Sequence, residues 1–287
     1  MKKIYANLFE YLEIGDDFSP VVMGVLNLSP ESFYRGSVYE TLDKMKIAAL
    51  EMIESGAKIL DLGARSTAPW SKKITIDEEI DRFKPAMELL CEIIPNDIII
   101  SVDTQYTQVA EKAFEISEKD KKKIIINDVS CFKTDPSLAD FVNEKDLPTI
   151  LMASKEIPGD LLTIEEIIHE FKRTTKHLKS KGYDINKVIL DPGIGHWTEE
   201  KTYKYDLKII ANLNKLRILN KPILIAISRK SFIGTALNIP DPENRLNGTL
   251  SATAIAVYNG VHIIRTHDVN SQLTEIVDLA YQIRKNR

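Results

Sequence analysis

KVILDPGIG, residues 187–195, sets three aliphatic residues in a row, stops on Asp191 and turns away through Pro192 and Gly193. Seven other short apolar runs end in the same manner. They are VVMGVLNLSP (21–30), AKILDLGARST (57–67), DIIISVDT (97–104), KIIINDVS (123–130), PTILMAS (148–154), PILIAISRKS (222–231) and HIIRTHD (262–268). Such runs, rich in Ile, Val and Leu, read as strands buried on both faces. A longer amphipathic stretch follows each, so the repeating unit is strand then helix. Eight units make an α/β fold, a (β/α)8 TIM barrel in one domain, with residues 1–20 as a lead-in covering its bottom and 21–287 as the barrel. Active sites of that fold lie at the C-terminal ends of the strands. The polar residues that close the runs are therefore the candidate site: Asn27, Asp61, Asp103, Asn127, Asp128, Asp191, Arg229, Lys230, Arg265 and His267.

The rest of the composition agrees. The chain has 287 residues, close to one barrel, and no Gly/Ser or Pro-rich linker divides it. A net charge of −4 argues against a nucleic-acid partner. No apolar run reaches the length of a bilayer span, and the first residues lack the apolar core of a signal peptide. Two cysteines, Cys91 and Cys131, form neither a metal pattern nor a disulfide framework and fit a cytoplasmic, reducing compartment. Helices are expected near 40–55, 75–94, 105–118, 136–145, 163–181, 202–219, 247–259 and 271–284. Thr75 with Glu78, and Thr163 with Glu166, have the spacing of capping boxes. Pro85 is expected to kink its helix. The segments 28–39 and 64–74 are long enough to act as lids.

Two clusters carry chemistry. Arg229, Lys230, Arg265 and His267 close the last two strands, where barrels often bind phosphate, and Ser228 and Ser231 add hydroxyls. Asp103, Asn127 and Asp191 close three others, and together can read the donor edge of a flat heterocycle such as a 2-amino-pyrimidinone. Asp61 and Asp128 equally fit the capping of a following turn. Cys131 reads as packing. His169 and His177 read as surface residues, and His262 lies at the non-catalytic end. His196 and Trp197 can touch a ligand. No nucleophile triad and no H-E-x-x-H spacing is present; any Mg²⁺ would lean mainly on substrate phosphates.

In order, MGVLNLSPESF, DLGARSTAP, SVDT, NDVS, DPGIG, SRKSFIG and RTHD resemble the signatures of the dihydropteroate synthase family of pterin-binding barrels. The resemblance implies a transferase joining 6-hydroxymethyl-7,8-dihydropterin diphosphate to an arylamine, p-aminobenzoate or a bulkier analogue, with release of diphosphate. By that resemblance Asp103, Asn127, Asp191 and Lys230 surround the pterin. Asn27 meets Mg²⁺ and diphosphate, with Arg265 and His267 on the same anion; Asn27, Lys230, Arg265 and His267 are then the catalytic set. Thr67, Ser228 and Arg229 lie near the arylamine. A homodimer is implied as well. Three departures concern the arylamine end. The family's S-T-R-P is Ser66-Thr67-Ala68-Pro69 here, MASKEIPG follows the fifth strand, and His196-Trp197-Thr198 replaces an aromatic-glycine-lysine. Arg65 is the candidate to replace the missing arginine, with Trp197 stacking beside it. A pterin-dependent methyltransferase and a non-catalytic pterin binder are alternative readings of the same acidic pocket.

Overall fold

The computed structural model describes residues 3–9, 12–29, 39, 41–67 and 71–287. Eight parallel strands form the barrel: β3 (Val21–Asn27), β4 (Ile59–Gly63), β5 (Ile99–Asp103), β6 (Ile124–Asp128), β7 (Thr149–Met152), β8 (Val188–Asp191), β9 (Leu224–Ala226) and β10 (Ile263–Thr266). All eight lie within the runs read from the sequence. Hydrogen bonding runs in the order β8-β7-β6-β5-β4-β3-β10-β9. A parallel bridge between Leu190 and Ile223, beside a Leu190 N–H to Pro222 O bond of 3.0 Å, brings the two ends of the sheet together.

The two-residue period of a strand sorts side chains into two apolar layers. Val21, Met23, Ile59, Ile99, Ile125, Ile150, Ile189, Leu224 and Ile263 meet inside the barrel. The alternate residues, among them Val22, Leu60, Leu62, Ile100, Val102, Ile126 and Leu190, pack outward against the helices. Those helices are α1 (Leu42–Glu54), α2 (Ile76–Ile93), α3 (Thr107–Lys119), α4 (Ser137–Glu144), α5 (Ile164–Ser180), α6 (Tyr203–Ala211), α7 (Ser231–Leu237), α8 (Leu246–Tyr258) and α9 (Ser271–Lys285). Both capping boxes form, on Thr75 and Thr163. α2 continues through Pro85. No described helix is long and apolar enough to cross a membrane.

The lead-in is an antiparallel hairpin, β1 (Tyr5–Phe9) and β2 (Leu12–Gly15). Its Ala6, Leu8, Leu12 and Ile14 join the inner apolar layer at the N-terminal ends of the strands, so it plugs the barrel floor. Asp16 fastens it: both carboxylate oxygens accept from Arg217, at 2.6 and 2.8 Å, and His262 Nε2 lies 3.3 Å away.

Two elements differ from the sequence reading. The helix expected over 202–219 is α6 followed by a 3-10 helix, Leu213–Leu219. Between them, Asn212 turns its side-chain amide onto Lys208 O at 2.8 Å. An asparagine that bonds the local backbone in this way competes with helix continuation. α7 was not expected at all, since seven residues are too few to show a helical period. Gly234 lies within it because a Cβ there would sit 2.5 Å from Arg245 Nε and from Ile239 O.

Candidate active site

The inward parity that buries Ile59, Ile99, Ile125, Ile189 and Ile263 continues upward to the mouth. Two residues on from each, or four, come Asp61, Asp103, Asn127, Asp191 and Arg265. A cavity of 240 Å³ opens there. Asn27, Thr67, Asp103, Asn127, Asp191, Lys230, Arg265 and His267 all line it. Sequence reasoning named every one of these.

Arg265 organises the mouth. Its Nε donates to Asp61 Oδ2 at 2.6 Å and its Nη2 to Asp103 Oδ2 at 2.8 Å. Asp61 is fully buried and also accepts from Asn127 Nδ2 at 3.2 Å. One guanidinium thus links β10 to β4 and β5, and through Asp61 to β6. Burial works against the charge on Arg265, but Asp61 and Asp103 outweigh it and keep its pKa above the usual value. Burial raises Asp103, the charge on Asp61 adds to the rise, and Arg265 opposes it. The capping alternative for Asp61 is therefore replaced by an ion pair.

Across the mouth, burial raises Asp191, and Lys230 partly offsets it. Asp191 Oδ1 accepts from Gly193 N–H at 2.8 Å. Burial brings Lys230 down to about 8 despite Asp191. The Lys230 ammonium donates to Ile194 O at 2.5 Å and lies 5.5 Å from the Trp197 ring centroid.

Three sequence-based expectations need correction. His267 does not belong to a cationic cluster. Burial first, then Arg265, Lys230 and Arg229, push its pKa down to about 3, so the ring is neutral; its Nδ1 lies 3.1 Å from Ser228 Oγ. Arg229 and Ser228 do not line the cavity. Arg229 has the outward parity, and its guanidinium grips Asp268 with two bonds of 2.7 Å and the carbonyls of Pro242 and Glu243. Arg65 lines the cavity, and three of its five N–H groups are engaged within the protein. They go to Glu79 (2.5 Å), Ile74 O (2.6 Å) and Thr75 O (3.0 Å), with the guanidinium over Tyr106. It is held as a strut beside the mouth. Ala68 lies outside the described residues.

Asp128, also of outward parity, folds back on its own loop and accepts from the N–H groups of Ser130 (2.7 Å) and Phe132 (2.6 Å). Cys131 is buried in that loop, as read from the sequence. His196 and Trp197 do reach the cavity. Sequence reasoning missed Met152 and Arg245, which also line it. Arg245 arrives from the start of α8, far from any strand end, and no local pattern marks it.

An acidic and amide-bearing wall faced by an ammonium, in the mouth of a closed barrel, defines a site for a flat, donor-rich heterocycle carrying an anion. A family model of pterin binding enzymes matches residues 23–267. The chain is 36% identical to the dihydropteroate synthase of Bacillus subtilis, over 87% of this chain and 84% of that protein. The dihydropteroate synthase of Coxiella burnetii, solved in complex with pteroic acid, superposes with a TM-score of 0.84 at 30% identity, covering 99% of this chain and all of that one. The Yersinia pestis dihydropteroate synthase with a sulfonamide drug complex gives 0.85 at 28% identity, covering each chain fully. The chain is thus a pterin-binding barrel enzyme. Within that class it belongs to the dihydropteroate synthase family, transferases of folate biosynthesis.

The neutrality of His267 is open to measurement. With its pKa lowered to about 3, the ring takes up no second proton anywhere in the range where histidine ordinarily titrates. Nitrogen NMR of the imidazole should show the neutral ring throughout a titration from about pH 8 to about pH 5. A protonation step within that window would show that Arg265 and Lys230 do not bear on it as described.

Proposed function

We propose that the mouth binds 6-hydroxymethyl-7,8-dihydropterin diphosphate and joins it to an arylamine, p-aminobenzoate or a bulkier analogue. One observation carries the reading. Asp103, Asn127 and Asp191 each spend one side-chain atom on the protein and keep an oxygen on the cavity that accepts from no described residue. Asp103 Oδ2 is held by Arg265, Asn127 Nδ2 by Asp61, and Asp191 Oδ1 by Gly193. Three spare acceptors in a buried site are costly until donors arrive. The amino and ring N–H groups of a pterin are such donors. Lys230 supplies the complementary positive group for a ring carbonyl or nitrogen.

The reaction follows from charge. The arylamine nitrogen forms a bond to the exocyclic methylene as the carbon–oxygen bond to diphosphate breaks, and the amine proton leaves to solvent or diphosphate. An aromatic amine is neutral at pH 7 and needs no strong base. The electron-rich ring, held by carboxylates, stabilises positive charge at the methylene. Arg265 and neutral His267 face the departing anion, Arg265 through Nη1, which donates to no described residue. Such fixed donors act electrostatically and need little reorganisation. We assign Thr67 to the arylamine; it lines the cavity together with Ser231, and Ser228 lies behind His267.

Mg²⁺ is the divalent ion that fits. The described residues contain no cluster of three His, Cys, Asp or Glu side chains able to hold a metal. Asn27 lines the cavity and is the side chain we assign to the metal. Mg²⁺ is commonly bound by few side chains and by substrate phosphates. Bound there, it would supply charge neutralisation for the leaving diphosphate.

A homodimer is the assembly this surface supports. α8 carries no charged residue and leaves Ile255 and Tyr258 exposed, and α9, which packs against it, leaves Leu279 and Ile283 exposed. Exposed apolar residues on two neighbouring helices suit a surface that meets a partner.

Four outcomes test these readings. Purified protein given the pterin diphosphate and p-aminobenzoate, or a larger arylamine, should release diphosphate and form the C–N product. Asp191→Asn should weaken binding of a pterin analogue by about 2–5 kcal/mol in calorimetry, because a donor then faces a donor; unchanged affinity removes Asp191 from the pterin site. Diphosphate should raise the melting temperature more with Mg²⁺ than without; equal shifts would leave the cations alone to bind the anion. Sedimentation should give a dimer that Ile255→Glu with Leu279→Glu converts to monomer, and a wild-type monomer would refute the apolar face as an interface.

A further inference from the structure

Lys201 and Asp206 stand apart from the mouth, and no step above uses them. Both are fully buried. A buried lysine or aspartate is costly unless its charge and hydrogen bonds are answered. Here the 193–195 turn and Gly159 take up Lys201 and one oxygen of Asp206, while Asp206 Oδ2 has no hydrogen-bond partner among the described residues. Lys201 Nζ donates to Gly193 O at 2.6 Å and to Gly159 O at 3.4 Å, so it joins the loop after β8 to the loop after β7. Asp206 Oδ1 accepts from Gly195 N–H at 2.9 Å. Lysine takes the carbonyl at one end of the turn and aspartate the amide at the other. Both glycines have positive φ, +72° and +130°, a backbone path that side-chain-bearing residues rarely follow.

The opposite face of this turn is the wall of the cavity. Gly193 N–H binds Asp191, Ile194 O receives Lys230 Nζ, and a Cβ on Gly195 would lie 3.3 Å from that same Nζ. The two cavity groups that oppose each other, Asp191 and Lys230, are therefore both registered on three consecutive residues, 193–195. Behind those three residues sits the buried pair.

We propose that Lys201 and Asp206 are positioning residues for the pterin end of the site, clamping the 193–195 turn so that Asp191 and Lys230 meet the ring at the correct height. The inference rests on the reading that Asp191 and Lys230 hold the pterin. The clamp lies behind the wall that carries Asp191 and Lys230 and away from Thr67 on the second loop; Trp197 follows two residues past the turn, so the effect on the arylamine is the smaller of the two.

Steady-state kinetics with both substrates varied test this. In Lys201→Met the KM for the pterin diphosphate should rise about tenfold or more, as small displacements of positioned groups commonly cause, while the KM for the arylamine stays within about twofold. Lys201→Met leaves Asp206 without its counter-charge and can fail to fold. The double variant Lys201→Met with Asp206→Asn removes both charges, keeps an acceptor for Gly195 N–H, and leaves the carbonyls of Gly193 and Gly159 without a donor. It should fold and show the same selective rise. A wild-type pterin KM in either folded variant, or a fall in kcat with both KM values unchanged, overturns the proposal. Asp191→Asn, measured in parallel, separates the two ideas. If it too binds pterin normally, the pterin-site reading itself has failed; if it alone is impaired, only the clamp has.

Discussion

A guanidinium in the throat of the barrel, shared between two carboxylates, is the constraint on which the rest of the mouth depends. Asp61 and Asp103 belong to neighbouring strands, and burial together with the charge on Asp61 raises Asp103. Arg265, from β10, pairs with both. Burial is the main force that lowers Lys230 and His267, and the charge on Arg265 adds to it at both. A bidentate, planar cation suits the task better than an ammonium, because it can meet both carboxylates at once and still present an edge to the cavity.

That arrangement is possible only because the strands keep their alternation up to the rim. The inner apolar layer, the plug of β1 and β2 below it, and the polar mouth above it are successive levels of one inward-facing set of positions. A one-residue slip would turn Asp103 and Asp191 toward the helices and bring aliphatic side chains into the mouth. The fold and the site are therefore one register, and the apolar levels hold it because they are buried on both faces.

Much of this was legible in the sequence because apolar runs with polar ends report burial and parity together. Eight strands and seven cavity residues follow from that pattern; the capping boxes come from their own spacing and Thr67 from the family resemblance alone. Arg229 shows where it was under-used: counting by twos from Leu224 gives Ala226, Ser228 and Lys230, and leaves Arg229 outside, where it holds Asp268. Asp128 fails the same count. Other features carry no local signal. The charge state of His267 is set first by burial and then by Arg265, Lys230 and Arg229, which the folded mouth brings around it, and Arg245 reaches the cavity from the start of a helix. Lys201 looks like any surface lysine in an acidic loop until the turn folds over it. α7 is too short, and Asn212 too ordinary, to announce a helix boundary.

The plug has a consequence for how the chain reaches this state. Asp16 finds its partners 201 and 246 residues further along, on Arg217 and His262. The hairpin that carries it leaves the ribosome before the barrel strands, yet its apolar face has no floor to seal until the last strands have closed. Long-range contacts of this kind cost loop-closure entropy before they return any stabilisation, and they slow folding. Sealing of the floor is thus coupled to completion of the barrel. A segment made before the barrel is among the last to be fixed, and until then the apolar residues of β1 and β2 are surfaces for a chaperone to cover.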